Sequence, residues 1–127
     1  MEVTQVLLTD ATPLLVRTPE EIRAEIRRAL EARREAVAKA DADEVRRIDI
    51  HVATYHWLLG DTDVAPYTGR RVPVLTTSDL AFEQSTGRDH AEQNTHRYDD
   101  PMRLVPEAVF DAICWARGQL GDPPSGY

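Results

Sequence analysis

Residues 47–61, RIDIHVATYHWLLGD, are the stretch that decides how this chain folds. An apolar pattern that begins just before the stretch runs through it at spacings of 3, 4, 3 and 4 residues and consists of Val45, Ile48, Val52, Tyr55 and Leu59. This spacing is typical of a helix that packs along a second helix, and we call it the heptad seam. The helix is predicted to begin near Glu44, after the capping residues 41–43, and to stop at Leu59 before a left-handed Gly60.

The partner helix is predicted directly upstream, at Thr18-Pro19-Glu20-Glu21. Threonine can accept a backbone N–H as the N-cap, proline suits the first helical position, and Glu21 completes a capping box. Residues placed at intervals of about 100° form one apolar stripe, which consists of Ile22, Ile26, Ala29, Leu30, Ala36, Val37 and Ala40. Because the turn between the two helices is short, they must run antiparallel. Residues 18–60 are therefore predicted to form a helical hairpin.

Arg33 falls inside the apolar stripe of the first helix. The favoured interpretation is that its aliphatic stem lies over the edge of the core while its guanidinium reaches water. The alternative is an ion pair with Asp49.

Residues 61–103 are predicted to be an irregular polar segment with short helices. Its breaks are Pro66, Gly69, Pro73, Gly87 and Pro101. Residues 72–75 are expected to be extended. Short helices are expected over residues 79–84, capped by Thr77 or Ser78, and over residues 89–96.

The last helix is predicted over residues 104–121, with Pro106 at its start and Gly121 at its end. Its core stripe is Val109, Ile113, Ala116 and Leu120. Residues 1–17 are expected to be an extended N-terminal segment, strand-like or extended over residues 3–8 and 14–16, and residues 122–127 a loose tail. The sequence thus predicts a single, mainly α-helical domain over residues 1–127, in which a C-terminal helix packs on an antiparallel hairpin.

Composition limits the function classes. Hydrophobic residues make up 42% of the 127 residues and charged residues 29%, as in ordinary soluble globular proteins. The absence of a basic, apolar leader or of a spanning run of about 20 apolar residues predicts a cytoplasmic protein with no membrane partner. The net charge of −7 disfavours direct nucleic-acid binding, because each phosphate contact needs a local positive charge. Cys114 is the only cysteine, which excludes an intrachain disulfide and predicts a small core residue.

The histidines do not have the spacing of a metal helix. His51 and His56 lie about 140° apart on a helix and cannot bind one metal together, so both are predicted to be boundary residues. With no phosphate loop or nucleophile elbow in the chain, the prediction is a protein that is not an enzyme and has no cofactor or metal. The alternative is a small metal-dependent or acid/base enzyme that uses His56, His90, His96 and Glu83.

A second apolar stripe lies on the side of the second helix away from the heptad seam, and Trp115 lies similarly off the core stripe of the last helix. Core burial is the commoner fate of tryptophan, but an interface would show the same pattern. The candidate interface residues are Ile50, Ala53, Trp57 and Trp115. The leading prediction is a non-enzymatic interaction or assembly protein, acting through contacts with other protein chains and forming a homo-oligomer. A further alternative is an acidic regulator of a nucleic-acid-binding process, using Arg70-Arg71 and the arginines of the first helix.

Residues 57–70, WLLGDTDVAPYTGR, resemble a W-x-L-G…A-P-x-T-G segment of small uncharacterised helical proteins from actinobacterial phages and mobile elements. The resemblance implies a structural or accessory role in such a context, with a virion-associated location as an alternative to a cytoplasmic one. It transfers no functional residue. The chain has 14 arginines and one lysine, Lys39, which is the composition of a high-GC coding sequence.

Overall fold

A computed structural model describes residues 15–93 and 104–121, without the side chains of residues 87–93 and 104–106. This part of the chain contains four helices: α1 (Pro19–Ala38), α2 (Ala42–Leu58), α3 (Thr77–Gln93) and α4 (Leu104–Ala116). Its only β pairing is an isolated antiparallel bridge between Val64 and Arg71. The predicted mainly α-helical fold is confirmed.

Both helices of the hairpin begin at the predicted caps. The Thr18 hydroxyl accepts a hydrogen bond from the Glu21 N–H at 3.1 Å, and the Glu21 carboxylate accepts one from the Thr18 N–H at 2.8 Å. At the start of α2, the Asp41 carboxylate accepts from the Glu44 N–H at 3.2 Å. Each cap satisfies amides that the first helical turn leaves without an intrahelical partner.

The packing places α1 at one edge of the described part. α1 packs against α2, α2 also packs against α4, and α4 packs against α3. In the heptad seam, Ile48 and Tyr55 are fully buried, while Val45, Val52 and Leu59 are half-buried. The antiparallel hairpin is confirmed, and because α1 packs mainly against α2, no other described helix covers one side of the hairpin.

The main hydrophobic cluster takes residues from all four helices. Its large members include Ile22, Tyr55, Trp57, Leu80, Ile113 and Trp115. The Tyr55 and Trp115 rings meet edge to face, with centroids 5.7 Å apart, an arrangement that aromatic pairs favour. A smaller cluster of Ala29, Ala36 and Ile48 joins α1 to α2 nearer the hairpin turn. Small side chains there let the two helices approach closely.

The middle of the chain is more regular and more buried than predicted. α3 is one helix of 17 residues in place of two short ones, and Thr76 caps it by accepting from the Asp79 N–H at 3.2 Å. Gly87 inside it costs about 1 kcal/mol relative to alanine, which tertiary packing can offset. Val72, predicted to be extended, belongs to the main cluster and lies in no strand. The described part of the segment is thus irregular only up to Thr76, and it contributes Ala65, Val72 and Leu80 to the main cluster.

α4 ends at Ala116, earlier than the predicted Gly121. The terminator is Gly118, whose φ of 78° lets its N–H reach the Trp115 carbonyl at 3.0 Å while the Gln119 N–H reaches the Cys114 carbonyl at 2.8 Å. This is a Schellman motif. Leu120 consequently lies beyond the helix and is 36% exposed, so its assignment to the core stripe is wrong.

Only residues 15–17 of the predicted N-terminal segment are described. The Val16 and Arg17 N–H groups donate to the Ala116 carbonyl at 2.9 and 3.1 Å, which ties the start of α1 to the end of α4. The predicted strand at residues 3–8, the remainder of residues 1–14 and the predicted tail at 122–127 lie outside the described residues.

An alanine occupies the left-handed position at the end of α1. Ala40 has φ 57° and donates to the Val37 carbonyl at 3.0 Å, the role that Gly60 plays after α2 with φ 80°. This conformation costs a non-glycine residue about 1–2 kcal/mol, partly offset by the greater freedom of glycine in the unfolded chain. We expect Ala40→Gly to raise the free energy of unfolding by up to about 1 kcal/mol, measured by urea denaturation.

Gly60→Ala is the matched control, because a Cβ at Gly60 meets nothing within 4 Å and only the backbone strain changes. It should lower the free energy of unfolding by a similar amount. An Ala40→Gly variant that is no more stable than the wild type would contradict the argument.

Candidate interaction surface

The open side of the hairpin carries side chains from both helices. Positions three, four or seven apart on a helix lie on the same side. Among the exposed or half-buried residues related in this way, four of α1 and three of α2 form two charged groups and the centre between them, and Arg27, Arg34 and Arg46 flank these residues. We call this surface the hairpin face: Arg23, Leu30, Arg33 and Val37 from α1, Asp49, Ala53 and His56 from α2, and Asp61 just after α2.

An ion pair joins the two helices across the hairpin face. Arg33 Nε lies 2.7 Å from Asp49 Oδ1, and Arg33 Nη2 lies 3.4 Å from Asp49 Oδ2. The hydrogen bond and the charge of Asp49 raise the pKa of Arg33. The alternative interpretation of Arg33, an ion pair with Asp49, is therefore confirmed, and the side chain is also 41% exposed, so that its guanidinium reaches water as the favoured interpretation expected. Antiparallel packing brings the Arg33 guanidinium level with the Asp49 carboxylate. A projection of one helix does not show the height of a residue on the other helix.

A second charged group lies towards the other end of the hairpin face. Arg23 holds Asp61 with two hydrogen bonds of 3.2 Å, and His56 Nδ1 lies 2.8 Å from Asp61 Oδ2. These bonds, first from Arg23 and then from His56, lower the pKa of Asp61. The His56 side chain is 40% exposed, which agrees with the predicted boundary position.

The two charged groups enclose an apolar centre. Leu30 lies three residues before Arg33, and Ala53 lies four residues after Asp49. Because Arg33 pairs with Asp49 in antiparallel helices, Leu30 and Ala53 are level with each other. Leu30 is 45% exposed, and Ala53 is also exposed. The hairpin face therefore has an apolar middle with ion pairs at its ends.

A second exposed apolar residue of α1 lies nearer the hairpin turn. Val37 is 55% exposed and borders an open groove of about 370 Å³, lined by Ala36, Val37, Ala40, Asp41, Ala42 and Val45. The apolar stripe of α1 predicts burial of Leu30, Val37 and Ala40, but all three are exposed. They lie at or beyond the edge of α2, so the assignment is wrong. Arg23, Leu30 and Val37 are spaced seven residues apart. This spacing places the two apolar residues on the same side of α1 as an exposed arginine.

The two tryptophans among the candidate interface residues lie in the core. Trp57 is 2% exposed and Trp115 is 4% exposed, and both belong to the main cluster. Trp115 also has the Arg17 guanidinium 5.1 Å from its ring centroid. The chain itself covers both rings, so their assignment to a surface is corrected. Ile50 is half-buried against the same cluster, which leaves Ala53 as the candidate that is exposed.

The two described members of the alternative enzyme site, Glu83 and His56, bind different partners. Glu83 is fully buried, and its Oε1 accepts hydrogen bonds from the Tyr67 and Thr68 N–H groups at 2.9 and 3.2 Å. Glu83 thus holds the A-P-Y-T-G turn, whereas His56 bonds to Asp61. The His90 side chain and all of His96 lie outside the described part, so a site that includes them stays a prediction. Among the described residues, no three histidine, cysteine or acidic side chains cluster as metal ligands would.

His51 is a core residue and not a boundary residue, since only 1% of its surface is exposed. Its ring lies 6.4 Å from the Tyr55 ring, centroid to centroid. Burial disfavours the imidazolium and, with the nearby positive charge of Arg47, lowers the pKa of His51 to about 4. His51 is therefore neutral at physiological pH.

Cys114 is buried, as predicted. The Gln84 side-chain amide donates to Cys114 Sγ at 3.0 Å, and Gln84 Oε1 accepts from Arg117 at 2.8 Å. Burial raises the pKa of the Cys114 thiol, which keeps it in the less nucleophilic protonated form.

Arg70 and Arg71, the two arginines predicted for nucleic-acid contact, both interact with other side chains of the same chain. Arg70 lies over the Phe82 ring, 4.6 Å from its centroid, and 3.7 Å from Asp79. Arg71 forms a 3.1 Å ion pair with Asp63. Neighbouring carboxylates thus offset the local positive charge that phosphate binding needs.

Comparison with known proteins identifies no related family, curated protein or solved structure. The W-x-L-G…A-P-x-T-G segment does have a structural explanation: Gly60 ends α2, and the A-P-Y-T-G turn presents two amides to Glu83. None of the helices in the described residues has the length and hydropathy to cross a bilayer.

Proposed function

We propose that this chain is a non-enzymatic interaction protein that works through protein–protein contacts at the hairpin face. The observation that carries the proposal is the exposed apolar centre of Leu30 and Ala53 between two charged groups. Protein interfaces combine an apolar centre with a polar rim in this way. The rim keeps water from the apolar contacts that contribute most of the binding free energy.

The surroundings of the face support the same function. Leu30 and Val37 lie on an edge helix that packs mainly against α2, and Val37 leads into the groove at the hairpin turn. Exposed apolar side chains grouped on one side of a charged helix support a binding site there. An assembly or accessory role in a phage or mobile element is part of the proposal and rests on the W-x-L-G…A-P-x-T-G resemblance.

Site-specific photocrosslinking tests the proposal. A benzophenone amino acid placed at Leu30 should give a protein adduct of discrete mass in cells that naturally make the protein. The same residue placed at Glu35, which is exposed on the opposite side of α1, is the control and should give none. The proposal fails if Leu30 gives no adduct, or if both positions give the same adducts.

A further inference from the structure

We infer that the occupant of the hairpin face is a second copy of this chain, an inference that rests on the proposed function. Two hairpins would meet face to face about a twofold axis parallel to their helices. Each α1 would then lie over α2 of the other copy, and the contact would be a four-helix bundle.

The charges of the hairpin face are divided between its two helices. The α1 half carries Arg23 and Arg33, whereas the α2 half carries Asp49 and is extended by Asp61. All four side chains remain accessible, with exposed fractions between 34% and 51%. The exposed Arg27 adds to the basic half, and the exposed Arg46 lies one turn from Asp49 on the other half. The face thus has a basic half and a mainly acidic half, side by side.

A twofold axis parallel to the helices makes this division self-complementary. The rotation exchanges the two halves and keeps every residue at its own height along the axis. Arg33 of one copy therefore comes level with Asp49 of the second copy, as it is with its own Asp49. Arg23 comes level with Asp61 in the same way, and Leu30 faces Ala53, a large side chain against a small one.

Other arrangements leave like charges together. A twofold axis perpendicular to the helices would place α1 on α1, and so the basic half on the basic half. An acidic helix from a different protein would satisfy Arg23 and Arg33 but would face Asp49 and Asp61 across the same surface. Like charges across an interface disfavour the wrong partner. The charge division therefore favours a second copy, in one orientation.

The apolar and charged parts contribute differently. Exposed ion pairs contribute little free energy, so the arginine–aspartate contacts mainly select the orientation and register. Affinity comes from removing Leu30 and Val37 from water, since about half of each side chain is exposed in the single chain.

Complementary charge reversals test the inference. In Arg33→Glu, residue 33 would face Asp49 of the second copy with the same sign of charge, and in Asp49→Arg two arginines would face each other. We expect the wild type to dimerise and each variant alone to dimerise at least about tenfold more weakly. An equimolar mixture of the two variants should regain the dimer, as one copy of each, in native mass spectrometry.

The control is the exposed Arg71–Asp63 pair in the loop that follows α2, which is not among the residues of the hairpin face. Arg71→Glu and Asp63→Arg, alone or mixed, should leave dimerisation within about twofold of the wild type. Circular dichroism of all four variants should confirm that they fold, because every substituted side chain is at least 40% exposed.

Three results would overturn the second-copy inference: a wild type that stays monomeric at its highest soluble concentration, reversed variants that do not pair when mixed, or control variants that weaken the dimer equally. The crosslinking experiment then separates the two proposals. A Leu30 adduct with a different protein keeps the interaction function and removes the second copy. No adduct at Leu30 removes the interaction function itself.

Discussion

Replacing Trp57 with glutamate is expected to unfold the protein, not to dissociate an oligomer of folded chains. Trp57 is 2% exposed and lies in the main cluster. Losing a buried large aromatic side chain costs about 3–5 kcal/mol, and an unpaired buried carboxylate adds to this. The sum is a large share of a typical stability of about 5–15 kcal/mol. Far-ultraviolet circular dichroism at 25 °C should show loss of most helical signal.

Leu30→Glu is the matched control, because it also places a carboxylate on the hairpin but at a residue that is 45% exposed. It should change the free energy of unfolding by less than about 1 kcal/mol while weakening any contact at the hairpin face. Light scattering with circular dichroism on both variants separates the effects. A helical, monomeric Trp57→Glu variant from an oligomeric wild type would return Trp57 to an interface.

Acid is expected to destabilise the protein through His51, in a defined pH window. The pKa of His51 lies near 4 in the folded chain, compared with 6.5 for a free imidazole. Above pH 6.5 His51 is neutral in both the folded and the unfolded chain, so it contributes no pH dependence to the free energy of unfolding. Between pH 6.5 and 4 the unfolded chain binds a proton that the folded chain does not. The free energy of unfolding should therefore fall with decreasing pH, by roughly 3 kcal/mol across the window.

The measurement is a series of urea denaturations between pH 7.5 and 4, for the wild type and for His51→Gln. Asp111 acts in the opposite direction, because burial, reinforced by Glu107, raises its pKa. Only the difference between wild type and variant therefore isolates His51. His56→Gln is the control at an exposed histidine and should leave the steep loss between pH 6.5 and 4 in place. Parallel profiles for the wild type and His51→Gln would show that His51 is not the cause.

The hairpin could be predicted because its signals are local. The Thr18 and Asp41 caps and the Gly60 terminator each act through hydrogen bonds within a few residues. The heptad seam then requires only a neighbouring helix, which a short turn supplies. The ends of α3 and α4 were less predictable, since Thr76 competed with Thr77 and Ser78 as the cap, and Gly118 competed with Gly121 as the terminator.

The candidate surface could be predicted only in part. Ala53 was identified from the second stripe of α2, whereas Leu30 and Val37 were assigned to the core. A helical projection ranks the sides of a helix by hydropathy but does not show how wide a strip the neighbouring helix covers. The Arg33–Asp49 pair was foreseen only as an alternative, because it depends on the height at which two helices align.

By itself, the sequence determined the helical fold class, the hairpin and its antiparallel direction, since caps, periodicity and a short turn are properties of neighbouring residues. Only the tertiary structure decided which sides of each helix are covered by other parts of the chain. The chain itself covers Trp57, Trp115, His51 and Glu83, while Leu30 and Val37 stay exposed at the edge. The physical reason is that burial depends on which helices pack together, and these helices are far apart in the sequence. The apolar periodicity of one helix does not show which other helix packs against each of its sides.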